Sequence, residues 1–446
     1  MSQSLLHQMQ NQLATLSDAR RLLVGYSGGL DSSVLLHLLC QLRDQGQESR
    51  PVLAIHINHQ LSPLADQWQS HCEAQCQELD VPIQVCRARV ERSGRGLEDA
   101  AREQRYQAFS QLLQQGDALL LAHHQDDQAE TLLLRLMRGA GPRGLAAMPR
   151  SRPLGDGQLF RPLLHFQRQQ LHDWAVTADM SWVDDDSNGS LDFDRNYLRH
   201  QVMPLLEERW PGFAGRWQQS AALCREADEQ LQSQACDDLT AAELRSERWG
   251  WSLCLAYLQS LSEFRRGNLL RQLMTQLQLP LPDSVHLEQI ERQLLQPRDD
   301  AQGAVCWGPI QLRHYRQRLY FLPETLALGP PELQCWDLQQ PLVWGDGELR
   351  AWEVASAGLL LPPGSDLEVG VRQPGDRCKP IGRGRSQTLK KLLQEYALEP
   401  WLRDSVPVLR HRGEIVAVGD LWVCEGYGSG DGPGYLLQWQ APARSD

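Results

Sequence analysis

Short apolar runs recur through the first part of the chain at Leu22–Tyr26, Val52–Ile57, Ile83–Cys86 and Ala118–Ala122. Amphipathic stretches with helical spacing fill the gaps, at Ser33–Leu42, Leu64–Leu79 and Glu98–Leu113. This alternation constrains the fold more than any other feature. Strand, helix and strand at a spacing of roughly 30 residues close as right-handed βαβ units, with helices on both faces of a parallel sheet. Open sheets of that kind bind ligands at the carboxyl ends of their strands. The loops that follow the apolar runs are therefore where chemistry is expected.

The pattern changes after Trp210-Pro211-Gly212. Residues 213–295 are rich in Gln, Leu, Ala, Glu and Arg at helical spacing, without a convincing strand. Beyond 303 come short strands broken by Gly and Pro, such as Ile310–Arg313, Arg318–Phe321 and Leu342–Trp344. Leu361-Pro362-Pro363-Gly364 marks a boundary, followed by Leu367–Arg372, a helical run Leu389–Tyr396, and strands at Val406–Leu409, Ile415–Val418 and Tyr435–Trp439. The expected architecture is α/β, a doubly wound parallel sheet over 1–212. A mainly helical domain follows over 213–325, then a linker and a small α+β domain over 326–446 with its core near 361–446. A chain of 446 residues suits two to four domains.

No run of about 18 apolar residues occurs, so no membrane-spanning helix is expected. The first 21 residues lack the apolar core of a signal peptide, and the 11 cysteines include no CxxC, which points to reduced thiols in the cytoplasm. The net charge of −12 argues on its face against a nucleic-acid partner, but its distribution does not. Residues 372–412 carry ten basic and four acidic side chains, and residues 131–152 carry five arginines and no acid. Such patches on an acidic protein suit one chosen polyanion.

The first candidate site is Gly25-Tyr26-Ser27-Gly28-Gly29-Leu30-Asp31-Ser32-Ser33, which follows a strand and opens a helix. Its glycines let the backbone turn tightly beside a ligand, and the helix N-terminus aims N–H groups at an anion. Ser27, Ser32 and Ser33 add hydroxyls, and Asp31 can hold Mg²⁺ beside phosphates. A glycine turn with a serine cap accounts for part of this string, though not for all of Ser-Gly-Gly-x-Asp-Ser in this context. No Gly-Lys-Ser/Thr follows, so it is not a Walker A loop. The second candidate is His123-His124-Gln125-Asp126-Asp127-Gln128-Ala129-Glu130 after the fourth run, continuing to Arg138-Gly139-Ala140-Gly141-Pro142-Arg143-Gly144.

Ser27-Gly28-Gly29-Leu30-Asp31-Ser32 resembles the PP-loop of the ATP pyrophosphatases, which cleave ATP between the α and β phosphates. The stretch 123–148 resembles, more specifically, the tRNA(Ile)-lysidine synthetase family. So do His56-Ile57-Asn58-His59, Glu98-Asp99-Ala100-Ala101-Arg102 with Arg105-Tyr106, Asp186-Ser187-Asn188 and Arg195-Asn196-Tyr197-Leu198-Arg199. Arg372, Pro374-Gly375-Asp376 and Leu389-Lys390-Lys391-Leu392 are similar to that family's last domain. The resemblance spans nearly the full chain and is weakest in the helical middle.

It implies three substrates: ATP, free L-lysine and a tRNA(Ile) with a CAU anticodon. The wobble cytidine is adenylated, and the lysine amine then displaces AMP to give lysidine, changing the reading from AUG to AUA and the identity from Met to Ile. On this resemblance Ser27, Gly28, Gly29, Leu30, Asp31, Ser32, His56 and His123 bind ATP, and Asp31 and Asp126 hold Mg²⁺. Asp127 handles lysine, with Asp126 and Glu130 as its partners, and the lysine side chain, with a pKa of about 10.4, must lose a proton before attack. Arg195 and Arg199, four apart on one helical face, stabilise charge on the phosphates or the adenylate. Arg138, Arg143, Arg372, Lys379, Lys390 and Lys391 contact the tRNA, and Arg135 is expected in the same polyanion-facing loop as Arg138 and Arg143. The three lysines are the only ones in the chain and all lie in the basic stretch 372–412. No membrane and no DNA partner is expected.

Other functions fit less well. A tRNA 2-thiolase needs loop-placed or closely spaced reactive cysteines, and Cys72 and Cys76 sit on a helical stretch. The synthetase half of an amidotransferase needs a glutaminase signature that is not evident. A non-catalytic tRNA-binding protein would not need the intact Ser27–Ser32 loop or the Asp126-Asp127 pair.

Overall fold

The computed structural model describes residues 2–60, 62–87, 97–184, 189, 191–295, 303–324, 331–361 and 367–441. Asp186-Ser187-Asn188, Pro362-Pro363-Gly364 and the side chains of Glu98 and Asp99 lie outside the described residues. The chain divides into two compact units, 1–230 and 231–446.

The first unit contains helix α1 (Ser2–Ala14), then β1 (Arg21–Gly25), α2 (Leu30–Asp44), β2 (Val52–Asn58), α3 (Ala65–Glu78), β3 (Ile83–Arg87), α4 (Leu97–Leu112), β4 (Asp117–Leu120) and α5 (Gln125–Met137). After the short α6 (Pro142–Leu145), a hairpin of β5 (Ser151–Leu154) and β6 (Gly157–Phe160) leads to α7 (Arg168–Thr177). The six strands form one sheet in the order β3-β2-β1-β4-β6-β5, parallel except for β5.

Successive strand residues point to opposite faces, and the two cores follow that period. Leu22, Val24, Ala118 and Leu120 pack with α1, α2 and α7, whereas Leu23, Ile55 and Leu119 pack with Phe109 and Leu113 around α4. Because β4 adds beside β1 and not beside β3, the winding reverses between β1 and β4. A crevice opens there at the strands' carboxyl ends, the usual ligand position in such sheets. The unit continues through α8 (Asp194–Tyr197), a π-helical turn at Leu198–Val202, α9 (Met203–Arg209) and the start of the long α10 (Phe213–Ala241). Pro204, lacking an N–H, cannot extend the α-helical bonding through that turn, which accounts for the widened coil before it.

The second unit joins the rest of α10 to α11 (Leu255–Ser260), α12 (Glu263–Gln276) and α13 (Ser284–Ile290). An antiparallel sheet in the order β7-β8-β11-β10-β9 accompanies them. It is built from β7 (Arg245–Ser246), β8 (Trp251–Cys254), β9 (Ala304–Trp307), β10 (Ile310–Tyr315) and β11 (Arg318–Pro323). The helical reading of 213–295 is therefore corrected at β7 and β8. β8 is specified by distant pairing, Trp251 with Phe321 and Leu253 with Leu319, and by Gly250, whose φ of +71° and closeness to the Phe321 carbonyl exclude a side chain.

The C-terminal part holds β12 (Gln334–Trp336), β13 (Leu342–Trp344), β14 (Gly347–Val354), β15 (Leu367–Gly370), β16 (Arg377–Cys378), β17 (Gln387–Thr388) and α14 (Leu389–Glu395). β18 (Val408–His411), β19 (Glu414–Val418), β20 (Trp422–Val423) and β21 (Gly434–Gln440) complete it. These strands form three small antiparallel sheets, with Leu389, Leu392 and Leu393 of α14 in their shared core.

Candidate active site at the carboxyl ends of β1 and β4

The loop after β1 is braced from within. Ser32 Oγ donates to the Gly29 carbonyl at 3.0 Å and lies 3.0 Å from Ser27 Oγ, while Ser27 N–H donates to Ser32 Oγ at 3.2 Å. Gly28 adopts φ +83°, and a Cβ there would stand 2.8 Å from Cys72 Sγ. Gly29 caps α2 with no side chain competing for the helix N–H groups, so the N-terminus stays open toward an anion. Leu30 is buried in the core and serves the loop only through its backbone. His56 donates from Nδ1 to the Tyr26 carbonyl at 3.0 Å, tying β2 to the same loop.

His123 and His124 lie in the short connection after β4, with His124 capping α5, which starts at Gln125. Asp127 and Glu130, three apart on α5, face the crevice side by side. Arg195 and Arg199, four apart, close on both. Arg195 donates to Glu130 Oε2 at 2.7 Å and to Asp127 Oδ1 at 2.9 Å. Arg199 donates to Glu130 Oε1 at 2.7 Å and to Asp127 Oδ1 at 3.0 Å. The carboxylates differ sharply in access: Asp126 is 46% exposed, Asp127 10% and Glu130 1%. Burial opposes charge on Asp127, but His124 and the Arg195 and Arg199 guanidiniums outweigh it and hold this carboxyl well below the usual range.

His124 sits among three acids, 3.6 Å from Asp31, 3.5 Å from Asp126 and 3.4 Å from Asp127. Burial disfavours its charge, yet these carboxylates push it up to about 10. One contact suits a neutral ring, the approach of Asp127 N–H to Nδ1 at 3.4 Å. Three carboxylates outweigh one long hydrogen bond, and the imidazolium is the favoured form. Asp126 accepts from the backbone of Arg168 at 2.8 Å. Asp31 keeps a buried Oδ1 without a protein partner. Mg²⁺ is often held by one or two carboxylates plus substrate phosphates, so an orphaned carboxylate oxygen beside an open helix N-terminus fits that ion.

Other side chains here escaped the sequence reading. Arg161, at the carboxyl end of β6, donates from Nε to His123 Nδ1 at 3.1 Å. Its position at a parallel strand's end is the available signal, obscured because β6 is only four residues long and starts at a glycine. Gln128 accepts from Met148 N–H and donates to Met148 O, both at 2.8 Å, and Arg225 donates to Ala146 O at 2.7 Å. Together they fasten the loop after α5. Arg135, expected to face a polyanion, belongs to the same fastening: it donates to Gly144 O at 2.8 Å and Ala147 O at 2.7 Å. Arg138 and Arg143 are exposed on that loop.

The remaining basic candidates lie in the second unit. Arg372 is paired with Asp404 at 3.0 Å, Lys379 with Glu425 at 2.6 Å, and Lys391 lies 3.8 Å from Glu395. Lys390 is exposed without a carboxylate partner among the described residues.

The fold and the loop after β1 define a PP-loop, ATP-using enzyme. A family model described as a PP-loop domain matches residues 1–206; models described as the TilS substrate binding domain and the TilS substrate C-terminal domain match 253–320 and 367–439. Curated relatives include the tRNA(Ile)-lysidine synthase of Alkalilimnicola ehrlichii, 41% identical over 96% of this chain and 95% of the relative. That of Serratia proteamaculans is 39% identical over 94% and 95%. The chain belongs to the tRNA(Ile)-lysidine synthase family and is a ligase.

Proposed function

We propose that the protein joins free L-lysine to C2 of the wobble cytidine of a tRNA(Ile) with a CAU anticodon, at the expense of ATP. Family membership supports lysidine formation. The observation that carries the residue assignment is the meeting of two features at the β1–β4 crevice: an open helix N-terminus suited to phosphates, and a carboxylate cluster whose outermost member is open to an ammonium.

In the first step the cytidine O2 attacks the α-phosphorus of ATP, an O–P bond forms and pyrophosphate leaves. In the second, the lysine ε-amine attacks C2, and the C–O bond breaks with release of AMP. The product then reads AUA in place of AUG and accepts isoleucine. Ser27 to Ser32 cradle the phosphates with α2's N–H groups, and His56 supports that loop. Asp31, with Asp126, would hold Mg²⁺, which supplies charge neutralisation at the phosphates.

Arg195 and Arg199 face the charge that develops on the adenylate, and Glu130, too buried to meet a substrate, acts by fixing both guanidiniums. Asp126 and the rim of Asp127 receive the lysine ammonium. Burial raises both carboxyls, but their cationic and N–H partners bring them below the usual range, so they hold an ammonium more readily than they keep its proton. Residues 1–212 form the catalytic domain on this reading. Parts within 213–325 and 326–446 position the tRNA, with Arg138, Arg143, Arg372, Lys379, Lys390 and Lys391 meeting its phosphates. Among the described residues no helix is long and apolar enough to cross a membrane. A tRNA substrate supports a cytoplasmic location.

A thiolase is disfavoured by Cys72 and Cys76, whose burial pushes both thiols up to about 12, far from the thiolate a persulfide needs. Nucleotide analysis after incubation with ATP, Mg²⁺, lysine and tRNA should show AMP and pyrophosphate. ADP and orthophosphate would overturn the mechanism.

A further inference from the structure

His123 and His124 are neighbours in sequence with opposite surroundings. His124 is ringed by acids, whereas His123 receives a hydrogen bond from a cation. Arg161 is 2% exposed. Its Nε donates to His123 Nδ1 at 3.1 Å, Nη1 to the Pro149 carbonyl at 2.7 Å and Nη2 to Tyr106 Oη at 3.4 Å, and no carboxylate pairs with it among the described residues. Tyr106 is itself flanked by Arg102 at 5.2 Å and Arg152 at 4.9 Å.

A guanidinium has donors only, so the bond to Nδ1 requires a lone pair there. The ring proton must then sit on Nε2. Metal-binding histidines show the reverse arrangement, in which the second ring nitrogen donates to a carboxylate or carbonyl and the ligand becomes more basic. Coordination through Nε2 would force the proton onto Nδ1, against the Arg161 N–H. The charged groups facing the ring are Asp127, Arg161, Arg195 and Arg102; burial, joined by the three arginines, outweighs Asp127 and draws His123 down to about 3. Partly buried rather than closed off, it keeps a route to a ligand.

We infer that Arg161 is a positioning residue that locks His123 in the neutral Nε2–H form, making it a fixed hydrogen-bond donor to an anionic oxygen of ATP and barring it from metal ligation and proton transfer. The inference rests on reading the crevice as the ATP site. A neutral donor binds phosphate oxygen without competing for the charge that the metal and arginines must neutralise, and it remains a donor as pH changes.

The test is nitrogen-15 correlation spectroscopy of histidine-labelled full-length protein without ligands, with His123 assigned by loss of its signals in His123→Gln. The expected result is a bare Nδ1 and a protonated Nε2, unchanged between about pH 5.5 and about 8.5. Arg161→Gln should mix the tautomers and raise the midpoint, with burial, Arg195 and Arg102 still holding it below the ordinary histidine value. Arg161→Lys should retain the neutral ring. ATP affinity measured by calorimetry should gain, in Arg161→Gln, a pH dependence with the same midpoint that the wild type lacks.

A wild-type His123 protonated on Nδ1, or titrating near 6.5, overturns the proposal even if the variants fail to fold. A locked tautomer with an unaltered ATP profile in Arg161→Gln overturns the ATP contact. Failure of lysine transfer with the tautomer intact would count against the proposed function alone.

Discussion

Glu130→Gln removes one charge from the buried cluster while nearly preserving its shape. Glu130 is 1% exposed and accepts three hydrogen bonds, from Arg195 Nε at 2.7 Å and from Arg199 Nε at 2.7 Å and Nη2 at 3.0 Å. Removing one partner of a buried pair costs about 3–5 kcal/mol, because the other charge is left uncompensated. The guanidiniums are 24% and 28% exposed, and the amide can still accept, so the expected loss is near the lower end, about 3 kcal/mol. For a unit of this size that corresponds to a fall of roughly 6–12 °C in its unfolding midpoint. Scanning calorimetry of the full chain without ligands reads it. Arg199→Met in the Glu130→Gln background should cost less than the sum of the single changes, by about 1–3 kcal/mol. A loss below about 1 kcal/mol, the value of an exposed ion pair, would refute the closed cluster and leave both arginines free for substrate.

Gly28→Ala should weaken ATP binding at least ~10-fold, since a non-glycine residue at φ +83° costs roughly 1–2 kcal/mol before its Cβ meets Cys72 Sγ; calorimetry with ATP checks this. Asp31→Ala should abolish pyrophosphate release while tRNA binding, measured by filter retention, is unchanged, because the proposed role of Asp31 is confined to metal and phosphate. Lys390→Ala with Lys391→Ala should weaken tRNA binding and flatten its salt dependence by about 0.7–0.9 per lost phosphate contact, without moving ATP affinity. Lys390 should dominate, because Lys391 has Glu395 at 3.8 Å.

The parallel sheet was legible because β1, β2 and β4 are apolar runs at βαβ spacing, and the Ser27–Ser32 loop because its glycines and hydroxyls sit where such a fold places phosphate. Neither the β5–β6 hairpin nor β8 announced itself. β5 carries Arg152 and Pro153, and β8 is four residues long, so both depend on partners distant in sequence. The same limit applies at the site. Spacing brought Asp127 with Glu130, and Arg195 with Arg199, onto common helical faces. It could not show that the two pairs neutralise each other across 65 or more residues. Nor could it separate the exposed Asp126 from the buried Glu130, distinguish the two histidines, or show that Arg135 holds a loop. All three follow from tertiary contacts that no local pattern encodes.

Lysidine formation can be read by incubating the protein with labelled lysine, ATP, Mg²⁺ and tRNA(Ile) carrying a CAU anticodon, then digesting the tRNA to nucleosides. Label should appear in a single modified cytidine at the wobble position, dependent on ATP and lost in Asp31→Ala. Label absent from the tRNA, or present at the 3′ terminal adenosine instead, would contradict lysidine formation.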